Sequence, residues 1–250
     1  MIREALDRLI ELGRQSCAPE VVEIHGLPHV RQASGTVYGV GHPQPTTLVV
    51  HSLEALASYV EGQWDEDCGD TENSPATPLV AVESVKHVGV YTALRKDTRS
   101  REHLLRAVVP EVDRFIDGAF IPVEEFVVQV MARFQPSTER DAVIAFVSRL
   151  EAENNVGVTD DGLSQTATAR RGVVQRENVE VKNPVILTPY RTFSEVAQPS
   201  SPYILRLDDS FGPNEIRAGL FEADGGGWQV EALENIRGWL KGRMSGATVI

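Results

Sequence analysis

Residues 156–170, VGVTDDGLSQTATAR, decide the fold class. Val156 to Thr159 and Leu163 to Arg170 are β-prone runs that flank Asp160-Asp161-Gly162, where glycine accepts the positive φ a tight hairpin demands. Strands joined by so short a turn pair antiparallel. Further short runs follow at Val179–Val181, Val185–Leu187, Tyr203–Leu207 and Ile216–Ala223. Pro184, Pro189, Pro199 and Pro202 interrupt them, each removing a ladder donor. The second half of the chain is therefore expected to be strand-rich.

Working back from that hairpin, the periodicity becomes helical. Ile121–Phe134 places Phe126, Val127, Val130 and Phe134 on one core-facing stripe, with Pro122 suited to the first helical position. Thr138 and Asp141 have the spacing of a capping box that opens a helix through Val143, Phe146, Val147 and Leu150. Ser100–Val109 also reads as a helix, and Pro110–Ile116 as a short turn. Near the end, Gly225-Gly226-Gly227 marks a turn before a helix over Val230–Arg243, with Val230, Leu233, Ile236 and Leu240 apolar.

The amino-terminal part mixes both patterns. Ile2, Ala5, Leu6, Leu9, Ile10 and Leu12 recur at helical spacing, and Pro19 stops that helix. Val21–Ile24, Val37–Val40 and Thr46–Val50 are strand-like, and Ser52 is placed to cap a helix through Leu53, Leu56 and Val60. Gln63–Pro78, QWDEDCGDTENSPATP, lacks periodicity and reads as an acidic loop or connector. Leu79–Val85 and His87–Leu94 alternate like adjacent strands. Strands and helices cluster instead of alternating strictly, so the expected fold is α+β, with mostly antiparallel sheets and segregated helices. The expected organisation is an α/β segment over 1–62, a connector over 63–78 and a main α+β domain over 79–250, or one continuous domain.

Charge and motif content narrow the function. With 36 acidic against 24 basic residues the net charge is -12, which repels phosphate backbones, so duplex nucleic acid is disfavoured as the main partner. No apolar run approaches the roughly 18 residues of a membrane span. MIREALDRLIELGRQ lacks the apolar core of a secretory signal, and a cytoplasmic location is expected. Cys17 and Cys68 read as free thiols. His25 and His29 are separated by Gly26, Leu27 and Pro28, which oppose the helix that would align them on zinc. The acidic cluster Asp65, Glu66, Asp67, Asp70 and Glu72 does not match a calcium loop. Neither a metal nor a cofactor is expected. Asp160-Asp161 and Asp208-Asp209 have sufficient local work in turns. The chain has no GxSxG, HExxH or CxxC motif and no nucleophile with an evident base, so no catalytic residue is assigned and an enzyme is disfavoured.

Tyr190-Arg191-Thr192-Phe193 asks for a nonlocal reason. A guanidinium between aromatics can offer its planar fork to a phosphate or carboxylate ligand while the rings stack or pack. The same arginine can instead lock two strands by pairing with Glu195 or Glu222. FEADGGGW lacks the ending of a phosphate loop, and its Trp228 reads as a packing anchor, with Glu222 and Asp224 as polar contacts. The candidate ligand contacts are Tyr190, Arg191, Phe193, Glu222 and Asp224.

Four segments, DDGLSQTATARRG from Asp160, NPVILTPYRTFSEVAQP from Asn183, YILRL from Tyr203 and LFEADGGGW from Leu220, together resemble the YfdQ family of phages and prophages. The resemblance extends from about residue 115, where FIDGAFIPVEEFVVQVMARF is similar to the helical segment before the strands. PTTLVVHSLEALASYVEG near the start is similar in layout. That family is a domain of unknown function, so the resemblance implies an early phage gene among recombination and nucleotide-metabolism functions and carries over no catalytic residues. Three readings follow: a nonenzymatic protein that binds a host or phage factor, in counter-defence or recombination; a self-assembling structural protein; and a nucleotide-binding or nucleotide-processing protein using Tyr190 and Arg191. The first is preferred, with homo-oligomerisation as its accompaniment.

Overall fold

Alternation and helical periodicity succeed one another along the chain, and the elements follow them. In order these are α1 (Ile2–Cys17), β1 (Glu20–Ile24), β2 (Leu27–Arg31), β3 (Val37–Gly39), β4 (Leu48–Val50), α2 (Leu53–Gly62), β5 (Leu79–Ser84), β6 (His87–Tyr91), β7 (His103–Val108) and β8 (Ile121–Pro122). Then come α3 (Val123–Arg133), α4 (Thr138–Ala152), β9 (Val156–Asp160), β10 (Gln165–Arg171), β11 (Val174–Gln175), β12 (Val179–Glu180), β13 (Val185–Leu187), β14 (Ser201–Asp208), β15 (Arg217–Glu222), α5 (Trp228–Arg243) and β16 (Thr248–Val249). The computed structural model describes residues 2–17, 20–24, 27–32, 34–39, 45–64, 77–94, 100–110, 115, 117–152, 156–160, 165–171, 174–175, 179–180, 183–208 and 216–250.

Among the described residues, two hydrophobic cores organise β4 to β8, β13 to β16 and α2 to α5. In β14 every second residue, Ser201, Tyr203, Leu205 and Leu207, is buried. This strand sits inside a sheet of order β13-β14-β15-β8, all antiparallel. Its inner face, with Val185, Leu187, Ala218 and Leu220, packs on Phe126, Val130 and Phe134 of α3 and on Val143, Phe146 and Val147 of α4. Phe134 meets Phe115 and Tyr203 edge-on, with ring centroids 5.2 and 5.6 Å apart. Gly219 admits the backbone of Ala119, since a Cβ there would lie 2.8 Å from the Ala119 carbonyl oxygen.

The second core lies on a five-stranded sheet of order β16-β5-β6-β7-β4, in which the β16–β5 and β4–β7 pairs are parallel and the others antiparallel. Val80, Val88, Val90, Leu105 and Ala107 from this sheet meet Leu53, Leu56 and Ala57 of α2 and Ile236 and Leu240 of α5. Phe193 and Val196, from the loop between β13 and β14, are buried in the same core. The start of α2 is capped twice: the Ser52 hydroxyl accepts from the Ala55 amide at 3.1 Å and Glu195 Oε1 from the Leu53 amide at 2.7 Å. Two smaller sheets hold β1–β3 and β9–β12. The architecture is α+β and mostly antiparallel.

Some local expectations are corrected. Ser100–Val109 contains strand β7, not a helix: its good helix formers are overruled because β6 and β4 supply backbone partners on both sides and the core covers Leu105 and Ala107. Pro122 stands at the cap of α3 while Ile121 and Pro122 pair with β15, and Ser137, one residue before Thr138, caps α4 by accepting from the Arg140 amide at 3.0 Å. Helix α5 begins at Trp228 and leaves Val230 exposed, burying Ala232 instead. Strand β2 was hidden in the sequence by Pro28, which is tolerated because β3 pairs only from His29 to Arg31. The acidic residues 65–72, His25, Cys68, Asp161-Gly162 and Asp209 lie outside the described residues.

Replacing Glu195 with Ala removes a side-chain cap from α2, and the expected loss is about 1 kcal/mol. Urea unfolding of Glu195→Ala against the parent checks it.

Candidate binding site around Arg191

The loop from Thr188 to Ser200 is short of regular structure, so its polar backbone groups need side-chain partners. Its start is tied to the end of α3: the Gln135 amide donates to the Thr188 carbonyl at 2.8 Å and the Tyr190 amide to the Arg133 carbonyl at 2.9 Å. Gln198 does the rest. Its Oε1 accepts from the amides of Arg191 at 2.9 Å and Thr192 at 3.1 Å, and its Nε2 donates to the carbonyls of Phe193 at 2.8 Å and Val196 at 3.3 Å. The loop is then fastened outward: Thr192 Oγ1 donates to the Val85 carbonyl at 2.6 Å, and Asn235 Nδ2 of α5 to the Ala197 carbonyl at 3.0 Å.

Arg191 is clamped within this frame, its side chain only 11% exposed. One Nη1 donor pairs with Glu222 of β15, whose side chain is 21% exposed. Nη2 donates to Ser201 Oγ at 2.6 Å and to the Pro199 carbonyl at 3.3 Å. Ser201 passes its own proton on to Asp224 Oδ2 at 2.8 Å, and Asp224 also accepts from the amides of Gly226 at 2.8 Å and Trp228 at 3.1 Å. The Trp228 ring lies 4.1 Å from the guanidinium carbon, a cation–π stack. Gly225 and Gly226 take φ of 63° and 84°, which lets the chain wrap Asp224 and enter α5.

Electrostatics follow this geometry. Burial pushes the Asp224 carboxyl up, but bonds from Ser201 and the two amides, with the charge of Arg191, outweigh it and hold the group below the ordinary carboxylate range. The Tyr203 hydroxyl, which donates to Glu222 at 3.2 Å, is raised well above the usual phenol range, first by burial. The arrangement can hold charge rigidly in place.

Of the residues singled out in the sequence, Arg191, Glu222 and Asp224 come together. Phe193 turns into the α2–α5 core, and Tyr190 stands 58% exposed at the surface. Between the two carboxylates open to Arg191, Glu222 takes it and Glu195 caps α2. Gln198, Ser201 and Tyr203 are further members that sequence reading missed. Tyr203 was discoverable, because antiparallel pairing of β14 with β15 puts it directly across from Glu222. No local signal marks Gln198.

A second polar group occupies the face of the five-stranded sheet away from its core. Tyr91 donates to Glu83, Arg106 Nη2 pairs with Glu83 Oε2 at 3.1 Å, and the His103 ring stacks on Tyr91 with centroids 4.4 Å apart. Gly89 makes room: a Cβ there would sit 2.7 Å from the Tyr91 ring and 3.0 Å from His103 Nε2. Burial, then the Arg106 charge, hold His103 below the usual imidazole range, against the pull of Glu83 and a backbone bond at Leu105. Burial and the bond to Glu83 raise Tyr91. Among the described residues no group of three or more His, Cys, Asp or Glu side chains is placed to hold a metal ion. Comparison with family models, curated proteins and solved structures returned no match.

Arg191→Ala would leave Glu222 and Tyr203 without their cation and uncover Trp228, at an expected cost of about 3 kcal/mol. Calorimetry should register it as a melting temperature lower by roughly 6–12 °C, with Arg191→Lys recovering less than half for want of the planar fork. His103 gives a pH signature. Its folded pKa lies below the unfolded value of about 6.5, so its contribution is intact above that pH and is lost as pH falls through the lowered folded value. His103→Gln should flatten the decline in stability as pH falls below about 6.5, measured by denaturant unfolding at each pH.

Proposed function

We propose that the chain is a nonenzymatic binding protein, encoded by a phage or prophage and acting in the host cytoplasm on a host or phage factor, with Tyr190 as an anchor of its contact surface. One observation carries this reading: a large amphipathic side chain is exposed on a backbone fixed on both sides. Its own amide is held by Arg133 and the next one by Gln198. Such preorganised tyrosines give contact area at low entropic cost and recur among interface hot spots. Helix α3, whose last turn holds the Tyr190 amide through the Arg133 carbonyl, also exposes Val128 and Met131.

The inward engagement of Arg191 supports binding over nucleotide chemistry, because its fork is occupied by Glu222, Ser201 and the Pro199 carbonyl. The phage setting, in counter-defence or recombination, rests on the resemblance of the segments from Asp160 to Trp228. An acidic surface favours a basic or neutral protein face over nucleic acid. Among the described residues no helix is long and apolar enough to cross a membrane.

Affinity capture from phage-carrying cells, with the parent chain and Tyr190→Ala side by side, tests the proposal. A specific partner should be retained by the parent and bound about 30-fold more weakly by the variant, the loss of roughly 2 kcal/mol typical of a hot spot. The variant should melt with the parent. Recovery of no specific partner, or equal retention by both chains, defeats the reading.

A further inference from the structure

We infer that His103 and Arg106 compete for one carboxylate, that of Glu83, and that a proton taken up from solvent at His103 Nε2 moves Glu83 from the guanidinium to the imidazolium. The exchange is a conformational switch on the outer face of the five-stranded sheet, independent of Tyr190. Two unsatisfied atoms point to it. His103 Nε2 and Arg106 Nε are both buried and both lack a hydrogen-bond partner. Buried polar atoms are paired in the great majority of cases, so two orphans in one cluster ask for a second arrangement that satisfies one of them. The present pairing is also weak in form. Arg106 reaches Glu83 through Nη2 alone, at 3.1 Å to Oε2 and 3.4 Å to Oε1, and forgoes the two-nitrogen fork that gives arginine its advantage. Glu83 Oε1 is held instead by the Tyr91 hydroxyl.

Gly89 brings the competitor within reach. Glu83 Oε1 lies 2.5 Å, and His103 Nε2 3.0 Å, from the point a Cβ of residue 89 would occupy, so carboxylate and imidazole share the space that the missing side chain leaves. The register sets this up, with Gly89 opposite Arg106 and Tyr91 opposite His103. A protonated ring stays in place because the Tyr91 face stacked on it attracts a cation. Glu83 is also the only Asp or Glu in the five strands, so within the sheet the proton has a single carboxylate to turn to. Across from Gly89 and Tyr91, β5 sets the apolar Ala81 and Leu79, and β4 sets Val49 across from Arg106. The remaining charges nearby are engaged elsewhere: Arg101 Nη1 donates to the Thr92 carbonyl at 3.1 Å, the Glu102 amide to Thr92 Oγ1 at 2.9 Å, and His87 Nδ1 is bonded to Ser84 Oγ at 3.0 Å. Burial and the Arg106 charge resist the proton, so the exchange takes place below the ordinary imidazole range. The released guanidinium then adds its charge to the sheet face.

NMR on the full chain reads the exchange directly. The imidazole of His103, assigned by its loss in His103→Gln, should titrate below about 6.5, and the Arg106 Nε–H signal should change with the same midpoint while Glu83 stays ionised. Ring-current shifts should show His103 stacked on Tyr91 throughout. Glu83→Gln removes the shared partner, so His103 should bind its proton about tenfold more weakly and the Arg106 response should vanish. Arg106→Met removes the competitor and should raise that affinity by a similar factor. Tyr91→Phe, which keeps the stack, should leave the Arg106 response in place. An Arg106 signal that stays constant across the His103 titration of the parent chain overturns the inference, whatever the variants do. A His103 ring that leaves Tyr91 on protonation, or a His103 midpoint indifferent to Glu83→Gln, overturns it as well.

Discussion

The primary amide of Gln198 fixes the loop on which both cores depend. Two inward-facing amides and two inward-facing carbonyls meet its oxygen and its nitrogen respectively, so only one orientation of the side chain satisfies all four. Inside that ring of bonds, consecutive residues are dispatched in different directions. Arg191 goes to Glu222 under one sheet, Thr192 to the β5–β6 turn, and Phe193 into the core of α2 and α5. Buried backbone groups left without partners would cost more than the loop could recover from burying Phe193 alone.

Arg191 illustrates how a cation is kept in a nearly dry place. Glu222 supplies the counter-charge, Ser201 and the Pro199 carbonyl take the second nitrogen, and Trp228 covers a face of the guanidinium. Ser201 then links the cation to Asp224, whose amide partners open α5. The first residue of that helix and the cation thus share one network, so the position of α5 against the five-stranded sheet is coupled to the pair Arg191–Glu222. The side chain of Tyr190, one residue away, inherits a rigidity that its own amide, bonded to the Arg133 carbonyl, helps to set.

How much of this was legible depends on the range of the interaction. The stripe of Phe126, Val130 and Phe134 and the Ser52 cap are local facts and were readable. Ser100–Val109 was misread because Leu104, Leu105, Arg106 and Ala107 favour a helix in isolation, whereas two neighbouring strands decide their state. Arg191, Glu222 and Asp224 were picked out as unusual residues, and the structure joins them, but Phe193 was grouped with them only by proximity in sequence. The Glu83, Tyr91, His103 and Arg106 group combines three strands around Gly89, and nothing in any single strand announces it.

The two cores differ in how they draw on the chain, and this sets an order of assembly. The α3–α4 core takes its residues from one stretch between Phe115 and Leu220. The other gathers Leu53 and Val80 early, Phe193 late and Ile236, Leu240 and Met244 last. During synthesis, the first core can close while the ribosome still holds the remainder, but the strands β4 to β7, with α2 already on their apolar face, wait for Ile236 and Leu240 to complete its cover until α5 has emerged. Aggregation and chaperone capture should therefore act on that sheet, and a lesion in the late helix should show itself as loss of yield in the early strands.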